Sequence, residues 1–248
     1  MAGALGVTGR PWPPVGLVLT PGAGSGRDHP SLVSIEAELA PVGIAVDRID
    51  FPYRIAGRRA PDRPPVLVQT VRAGVEAMAR RLGAGGDRIA LGGRSMGGRM
   101  CSMAVAEGQV AAGLVLVSYP LHPPGRPERL RTDHFAAVGV PCLFVSGTRD
   151  AFGTPEELVA ATTAIRGPVT HVWIDGGDHG LGGREAEVAA AVRRWLVRTT
   201  APTRRSARLP GGPGVSSSRG AVTPRRTAVA SRAGRPAPRD SRDRPSSG

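Results

Sequence analysis

The stretch Gly93-Arg94-Ser95-Met96-Gly97 decides the fold of this chain. It has the pattern Gly-x-Ser-x-Gly, follows a short apolar run at 88–92 and precedes a helical pattern at 98–107. Where a strand turns sharply into a helix at such a motif, the serine adopts a strained conformation and the glycines avoid collisions across the bend. The motif therefore predicts an exposed Ser95 hydroxyl at a helix N-terminus, where the N–H of Met96 faces developing negative charge.

Short apolar runs and helical patterns alternate along the chain on both sides of this motif. The predicted strands are 15–20, 44–49, 88–92, 113–118, 141–146 and 170–174, and the predicted helices are 30–40, 65–82, 98–107, 155–166 and 184–198. This alternation is typical of a mostly parallel sheet covered by helices on both faces. We therefore predict an α/β fold, a three-layer doubly wound sandwich of about six strands, with its ligand site at the carboxyl ends of the strands.

Two further residues follow predicted strands at that edge. Asp150 follows the run at 141–146, and His179 follows the last strand in a glycine-rich loop. A serine hydroxyl needs a base to take its proton, an imidazole can serve as that base, and a carboxylate orients the imidazole and stabilises its charged form. Ser95, Asp150 and His179 are therefore the predicted catalytic residues. Asp178 and Asp175 remain alternative acids, although Asp178, adjacent to His179, is expected to project the other way.

The loop after the first strand is the expected second half of an oxyanion hole. It reads Thr20-Pro21-Gly22-Ala23-Gly24-Ser25-Gly26, and because Pro21 has no N–H, Gly22 or Ala23 must supply the donor that complements Met96. A phosphate-binding loop is a weaker interpretation. The segment lacks both the Lys-Ser/Thr ending of a P-loop and the Gly-x-Gly-x-x-Gly spacing.

Charge and composition divide the chain. Residues 201–248 contain eleven arginines, two aspartates, seven prolines and no aromatic residue. Such a segment cannot bury enough apolar surface to offset its chain entropy, so we predict an N-terminal extension at 1–14, one domain at 15–200 and a disordered tail at 201–248. The tail has arginine but no lysine, and no aromatic residues lie between its arginines, so codon bias explains its charge better than specific nucleic-acid binding does. It also lacks the amphipathic helical period expected of a segment that binds a membrane surface.

The remaining composition points to a cofactor-free cytoplasmic protein. The two cysteines, Cys101 and Cys142, lie in apolar contexts without the spacing of metal ligands, so they are expected to be buried reduced thiols. The first fourteen residues lack the pattern of a signal peptide, and the apolar runs are too short to span a membrane. No cofactor or metal is expected, and the oligomeric state is not predicted.

The motifs together resemble those of a known family. The chain is similar to the dienelactone-hydrolase-like branch of the α/β-hydrolases, and most similar to the group of testis-expressed protein 30 and the third subunit of the non-specific-lethal complex. The resemblance covers about 15–198 and rests on these segments: Leu19-Thr20-Pro21-Gly22-Ala23-Gly24 with Asp28-His29-Pro30, Gly92-Gly93-Arg94-Ser95-Met96-Gly97-Gly98-Arg99, Ser118-Tyr119-Pro120-Leu121-His122-Pro123-Pro124-Gly125, Gly147-Thr148-Arg149-Asp150 with Phe152-Gly153-Thr154, and Gly177-Asp178-His179. This chain departs from it at Pro21, where relatives have histidine, and at Ser95, where dienelactone hydrolases have cysteine.

The resemblance implies a serine hydrolase without a large cap domain. We expect a small, open site that cleaves short esters or thioesters, in which Arg94 and His122 contact the substrate. Arginines of the loop at 51–64 are a further potential anion site, and a solvated scatter of charges is the simpler interpretation. A non-catalytic binding module remains one alternative, because the family includes a member regarded mainly as a complex subunit. An acyltransferase is the other, because the sequence does not distinguish acyl transfer from hydrolysis.

Overall fold

A computed structural model describes residues 13–198. Its strands are β1 (Gly16–Thr20), β2 (Ala45–Arg48), β3 (Ile89–Arg94), β4 (Leu114–Val117), β5 (Cys142–Gly147) and β6 (Val169–Ile174). Its helices are α1 (Pro30–Leu39), α2 (Pro52–Ile55), α3 (Pro64–Leu82), α4 (Met96–Ala106), α5 (Pro155–Thr162) and α6 (Glu185–Arg198). The predicted tail at 201–248 and most of the predicted N-terminal extension lie outside the described residues.

The six strands form one parallel sheet in the order β2-β1-β3-β4-β5-β6. Alternate side chains of the strands face opposite sides, as in β4, where Leu114 and Leu116 join one apolar cluster and Val115 and Val117 join the other. Helices α3, α4 and α5 cover the first face, and α1 and α6 cover the second. The predicted three-layer α/β fold with a mostly parallel sheet of about six strands is confirmed.

The helix at the Gly-x-Ser-x-Gly motif begins earlier than predicted. Helix α4 begins at Met96 rather than at residue 98. Gly97 and Gly98 are poor helix formers, but both lie where a Cβ would contact neighbouring backbone. Close packing against those segments, rather than helix propensity, therefore keeps the two glycines inside the first turn.

Two other elements differ from the prediction. The loop at 51–64 contains the one-turn helix α2, with Pro52 in its first turn, where a missing N–H costs nothing. Helix α5 ends at Thr162 instead of continuing to residue 166. The chain turns there because Ile165 enters the core, and Gly167 packs directly on the backbone of Val140.

The segment between β4 and β5 contains no inserted domain. Within this described segment, the structure forms only the one-turn 3-10 helix Phe135–Ala137. The absence of a large cap between these two strands is therefore as predicted. Across residues 13–198, no helix is both long enough and apolar enough to cross a bilayer.

Candidate active site

Ser95 lies at the sharp turn between β3 and α4. Its backbone has φ 50° and ψ −117°, a region that costs energy for any residue with a side chain. A Cβ on Gly97 would lie 2.5 Å from the carbonyl oxygen of Pro21, and a Cβ on Gly93 would collide with Thr20 Oγ1. The predicted strain at the serine and the predicted need for both glycines are confirmed.

The structure brings the three predicted catalytic residues together. Ser95 Oγ lies 2.8 Å from His179 Nε2, and His179 Nδ1 lies 2.9 Å from each carboxylate oxygen of Asp150. The Asp150 side chain is 1% exposed and that of His179 is 18% exposed. A carboxylate at Nδ1 holds the imidazole proton there, so Nε2 is left as the acceptor for the serine hydroxyl. This arrangement can transfer the Ser95 proton to His179.

The two alternative acids have other partners. Asp178 Oδ1 accepts the backbone N–H groups of Gly180 at 2.8 Å and Leu181 at 3.0 Å, so it closes the turn of its own loop. Asp175 Oδ1 accepts the hydroxyl of Thr148 at 3.4 Å. Of the three candidates, Asp150 is the one that the structure places on the His179 ring.

Phe152 is a component of the site to which the sequence gave no role. Its ring stacks on the His179 imidazole with centroids 3.9 Å apart and an interplanar angle of 27°. Its backbone N–H donates to Asp150 Oδ1 at 2.8 Å. Phe152 therefore restricts rotation of the His179 ring and also holds the Asp150 carboxylate. The sequence offered Phe152 only as part of the segment Phe152-Gly153-Thr154 in the family resemblance, which gave the aromatic ring no role.

The predicted oxyanion-hole residues surround the serine from two sides. Met96 is the first residue of α4. Its N–H therefore has no acceptor within the helix, as for every N–H of a first helical turn. Gly22 is buried, and a Cβ on it would lie 3.4 Å from Ser95 Cβ, whereas Ala23 is exposed. Gly22 thus lies beside Ser95, and the role of these N–H groups remains a prediction.

Arg94 reaches the histidine loop. Its Nη2 donates to the carbonyl oxygen of His179 at 2.9 Å and more weakly to that of Gly180 at 3.4 Å. Burial lowers the pKa of Arg94, and the nearby carboxylates of Asp150 and Asp178 counter this shift. The guanidinium is thus tied to backbone carbonyls, and its predicted contact with substrate remains a prediction.

His122 lies away from solvent with both ring nitrogens occupied. Its side chain is 6% exposed; Nδ1 is 2.9 Å from the carbonyl oxygen of Pro123, and Nε2 is 3.2 Å from Glu157 Oε2. Burial lowers the pKa of His122, but these two hydrogen bonds outweigh it and the net shift is upward. Because neither nitrogen is free, this placement argues against the predicted substrate contact. The backbone N–H of His122 instead donates to Phe152, which supports the loop that carries Asp150.

Other nucleophile candidates are unsuited to chemistry. Burial raises the pKa of the Cys101 and Cys142 thiols to about 12, so both are protonated at neutral pH. A second serine–histidine pair, Ser102 Oγ and His134 Nε2 at 2.7 Å, is inaccessible because Ser102 is 1% exposed. Burial also lowers the pKa of His134 to about 4. Among residues 13–198, no cluster of three or more histidine, cysteine or acidic side chains could hold a metal ion.

Comparisons with known proteins agree with this architecture. The model of a family described as "Alpha/beta hydrolase domain" matches residues 14–196. Est1E from Butyrivibrio proteoclasticus is 16% identical with a TM-score of 0.60, over 75% of this chain and 88% of Est1E. An alpha-beta serine hydrolase homologue from Coxiella burnetii is 21% identical with a TM-score of 0.59, over 81% of this chain and 95% of the homologue.

A dienelactone hydrolase from Anabaena variabilis shares the same fold. It is 20% identical with a TM-score of 0.59, over 75% of this chain and 87% of that protein. At such identities the likeness concerns the fold alone. It shows that this chain and the dienelactone hydrolase share one fold. The narrower resemblance to testis-expressed protein 30 remains a prediction.

Proposed function

The chain belongs to the alpha/beta hydrolase family, and from this premise we propose that it is a serine hydrolase that cleaves small esters or thioesters. The observation that carries the proposal is the continuous hydrogen-bonded series from Ser95 Oγ through the His179 ring to the buried Asp150 carboxylate. A family fold alone does not define an activity, so the argument rests on this geometry and on the strained serine.

Acylation begins with attack of Ser95 Oγ on the carbonyl carbon of the substrate. The hydroxyl proton passes to His179 Nε2, and the buried Asp150 carboxylate stabilises the imidazolium that forms. The oxyanion of the tetrahedral intermediate receives hydrogen bonds from Met96 N–H and from the N–H of Gly22 or Ala23. His179 then protonates the leaving alcohol or thiol, and an acyl-Ser95 enzyme remains.

Deacylation repeats these steps with water in place of the serine hydroxyl. His179 Nε2 removes a proton from the attacking water, and the collapse of the second tetrahedral intermediate releases the acid. Phe152 keeps one face of the ring covered throughout, since it stacks on the imidazole. The base therefore presents Nε2 toward Ser95 in both half-reactions.

The size of the proposed substrate follows from what surrounds the serine. Larger members of this fold class cover the site with domains inserted after the strand equivalent to β4, and the described segment between β4 and β5 has only a one-turn helix. A short acyl group exposes little apolar surface and needs no such cover. Small activated esters and thioesters are therefore the first substrates to assay.

A fluorophosphonate probe tests the proposal directly. It should label the full chain at Ser95, and Ser95→Ala should abolish labelling and turnover of p-nitrophenyl acetate. Ser102→Ala is the matched control, because it removes the other serine–histidine pair and should leave labelling unchanged. A folded protein that resists the probe, or is labelled at another serine, would contradict the proposal and favour a non-catalytic binding module.

A further inference from the structure

Arg94 touches two loops that converge on the nucleophile. It immediately precedes Ser95, and its Nη2 donates to the carbonyl oxygen of His179 at 2.9 Å. Its other terminal nitrogen, Nη1, lies 3.1 Å from where a Cβ on Gly22 would be. One side chain thus connects the serine turn, the backbone of the base and the predicted oxyanion loop.

The loop that carries His179 needs such an anchor. Five of the eight residues from 176 to 183 are glycines, which permit many backbone conformations. The Asp178 carboxylate closes one turn of this loop, and the N–H of Arg149 donates to the carbonyl oxygen of Gly177 at 2.8 Å. The bond from Arg94 acts at His179 itself and comes from the residue adjacent to the nucleophile.

The orientation of the guanidinium agrees with this role. Arg94 makes no ion pair within 4.0 Å among residues 13–198, and its buried Nε has no hydrogen-bond acceptor there. Leaving a buried donor unsatisfied costs free energy. The two loop carbonyls are therefore the partners that orient this side chain.

We propose that Arg94 is a positioning residue that holds His179 Nε2 at reacting distance from Ser95 Oγ through the backbone of the histidine loop. This inference rests on the proposed serine hydrolase function. It assigns Arg94 an effect on the rate of the chemical step, whereas a substrate-binding arginine acts mainly on KM. Misplacement of a catalytic group by about 1 Å costs about a hundredfold in rate, which sets the scale of the effect.

The kinetic test compares three variants of the full chain. Arg94→Gln should lower kcat for p-nitrophenyl acetate, and the rate of fluorophosphonate labelling, by about 10- to 100-fold with KM within about threefold. Arg94→Lys, which keeps the charge and terminal N–H donors but not the planar guanidinium, should recover part of the loss. Arg149→Gln is the matched control, because it removes an exposed positive charge beside Asp150 while its backbone bond to the loop remains.

A second measurement is independent of activity. Amide hydrogen exchange of the segment at 176–182 should be faster in Arg94→Gln than in the wild type or Arg149→Gln, with equal thermal melting of the rest of the domain. Unchanged exchange, a kcat equal to that of Arg149→Gln, or a loss confined to KM would overturn the inference. If the wild type neither labels nor turns over esters, the proposed function fails, while the exchange result still decides whether Arg94 anchors the loop.

Discussion

Replacing Asp150 with asparagine should nearly abolish turnover while leaving the fold intact, and the hydrogen bonds around the carboxylate explain why. Asp150 Oδ1 accepts the backbone N–H of Phe152 at 2.8 Å. In the variant, the amide oxygen must stay on that N–H, so the amide NH₂ replaces Oδ2, which is as close to His179 Nδ1 as Oδ1 is, at 2.9 Å; a proton on Nδ1 would then face the amide hydrogens. The imidazole then accepts at Nδ1 and carries its proton on Nε2, where it faces Ser95 Oγ as a donor and cannot take the serine proton.

The expected loss is large because the wrong tautomer must be corrected before every turnover. Triad acids replaced by asparagine lose about 10³- to 10⁴-fold in kcat, which corresponds to about 4–5.5 kcal/mol of transition-state stabilisation. Steady-state turnover of p-nitrophenyl acetate measures this loss, and thermal melting checks that the variant is folded.

Asp178→Asn is the matched control for this substitution. Asp178 lies next to His179 in sequence, but its Oδ1 accepts two backbone N–H groups, a contact that an asparagine amide oxygen can keep. Turnover should therefore remain within a few-fold of the wild type. If Asp178→Asn were the inactive variant and Asp150→Asn the active one, the assignment of the acid and the tautomer argument would both be refuted.

Two further predictions concern stability and the tail. Burial lowers the pKa of His134 from 6.5 to about 4, so the unfolded chain binds this proton first. The part of the stability that depends on neutral His134 is therefore present in full above about pH 6.5 and is lost between about pH 6.5 and 4. Urea unfolding should show a shallower decline over this range for His134→Gln, and an equal decline would contradict this origin. Truncation after Thr200, a boundary predicted from composition alone, should leave the melting temperature and ester turnover nearly unchanged. It should weaken the affinity for polyanions, which is expected to be salt-sensitive. A melting temperature lower by several degrees would show that the boundary at 200 is wrong.

The fold and the meeting of Ser95, Asp150 and His179 at one edge of the sheet were predictable because each rests on a local pattern. Ser95, Asp150 and His179 follow apolar runs that form β3, β5 and β6. In a parallel sheet the carboxyl ends of all strands share one edge, so three residues far apart in sequence meet without any need to know their side-chain contacts. The order of strands then determines the neighbours: β5 and β6 are adjacent, which brings Asp150 beside His179.

Contacts between loops were not predictable in the same way. The bond from Arg94 to His179 spans 85 positions, and that from His122 to Glu157 spans 35. No periodicity or composition specifies where an arginine or histidine side chain ends once it leaves the sheet. The sequence therefore assigned Arg94 and His122 to the substrate, whereas their hydrogen bonds are to the protein itself.

Pro21 is the position where the first loop departs from the family pattern by lacking a histidine, and the structure shows what it contacts. The carbonyl oxygen of Pro21 lies against Gly97, 2.5 Å from where a Cβ would be, so the first loop packs closely on the start of α4. Proline fixes φ near −65°, which restricts this part of the loop in the unfolded chain as well. Its missing N–H removes no donor from the predicted oxyanion hole, since that prediction takes the donor from Gly22 or Ala23. A proline here is thus compatible with a rigid backbone at the nucleophile, and the proposed acyl-enzyme chemistry requires no side chain at this position.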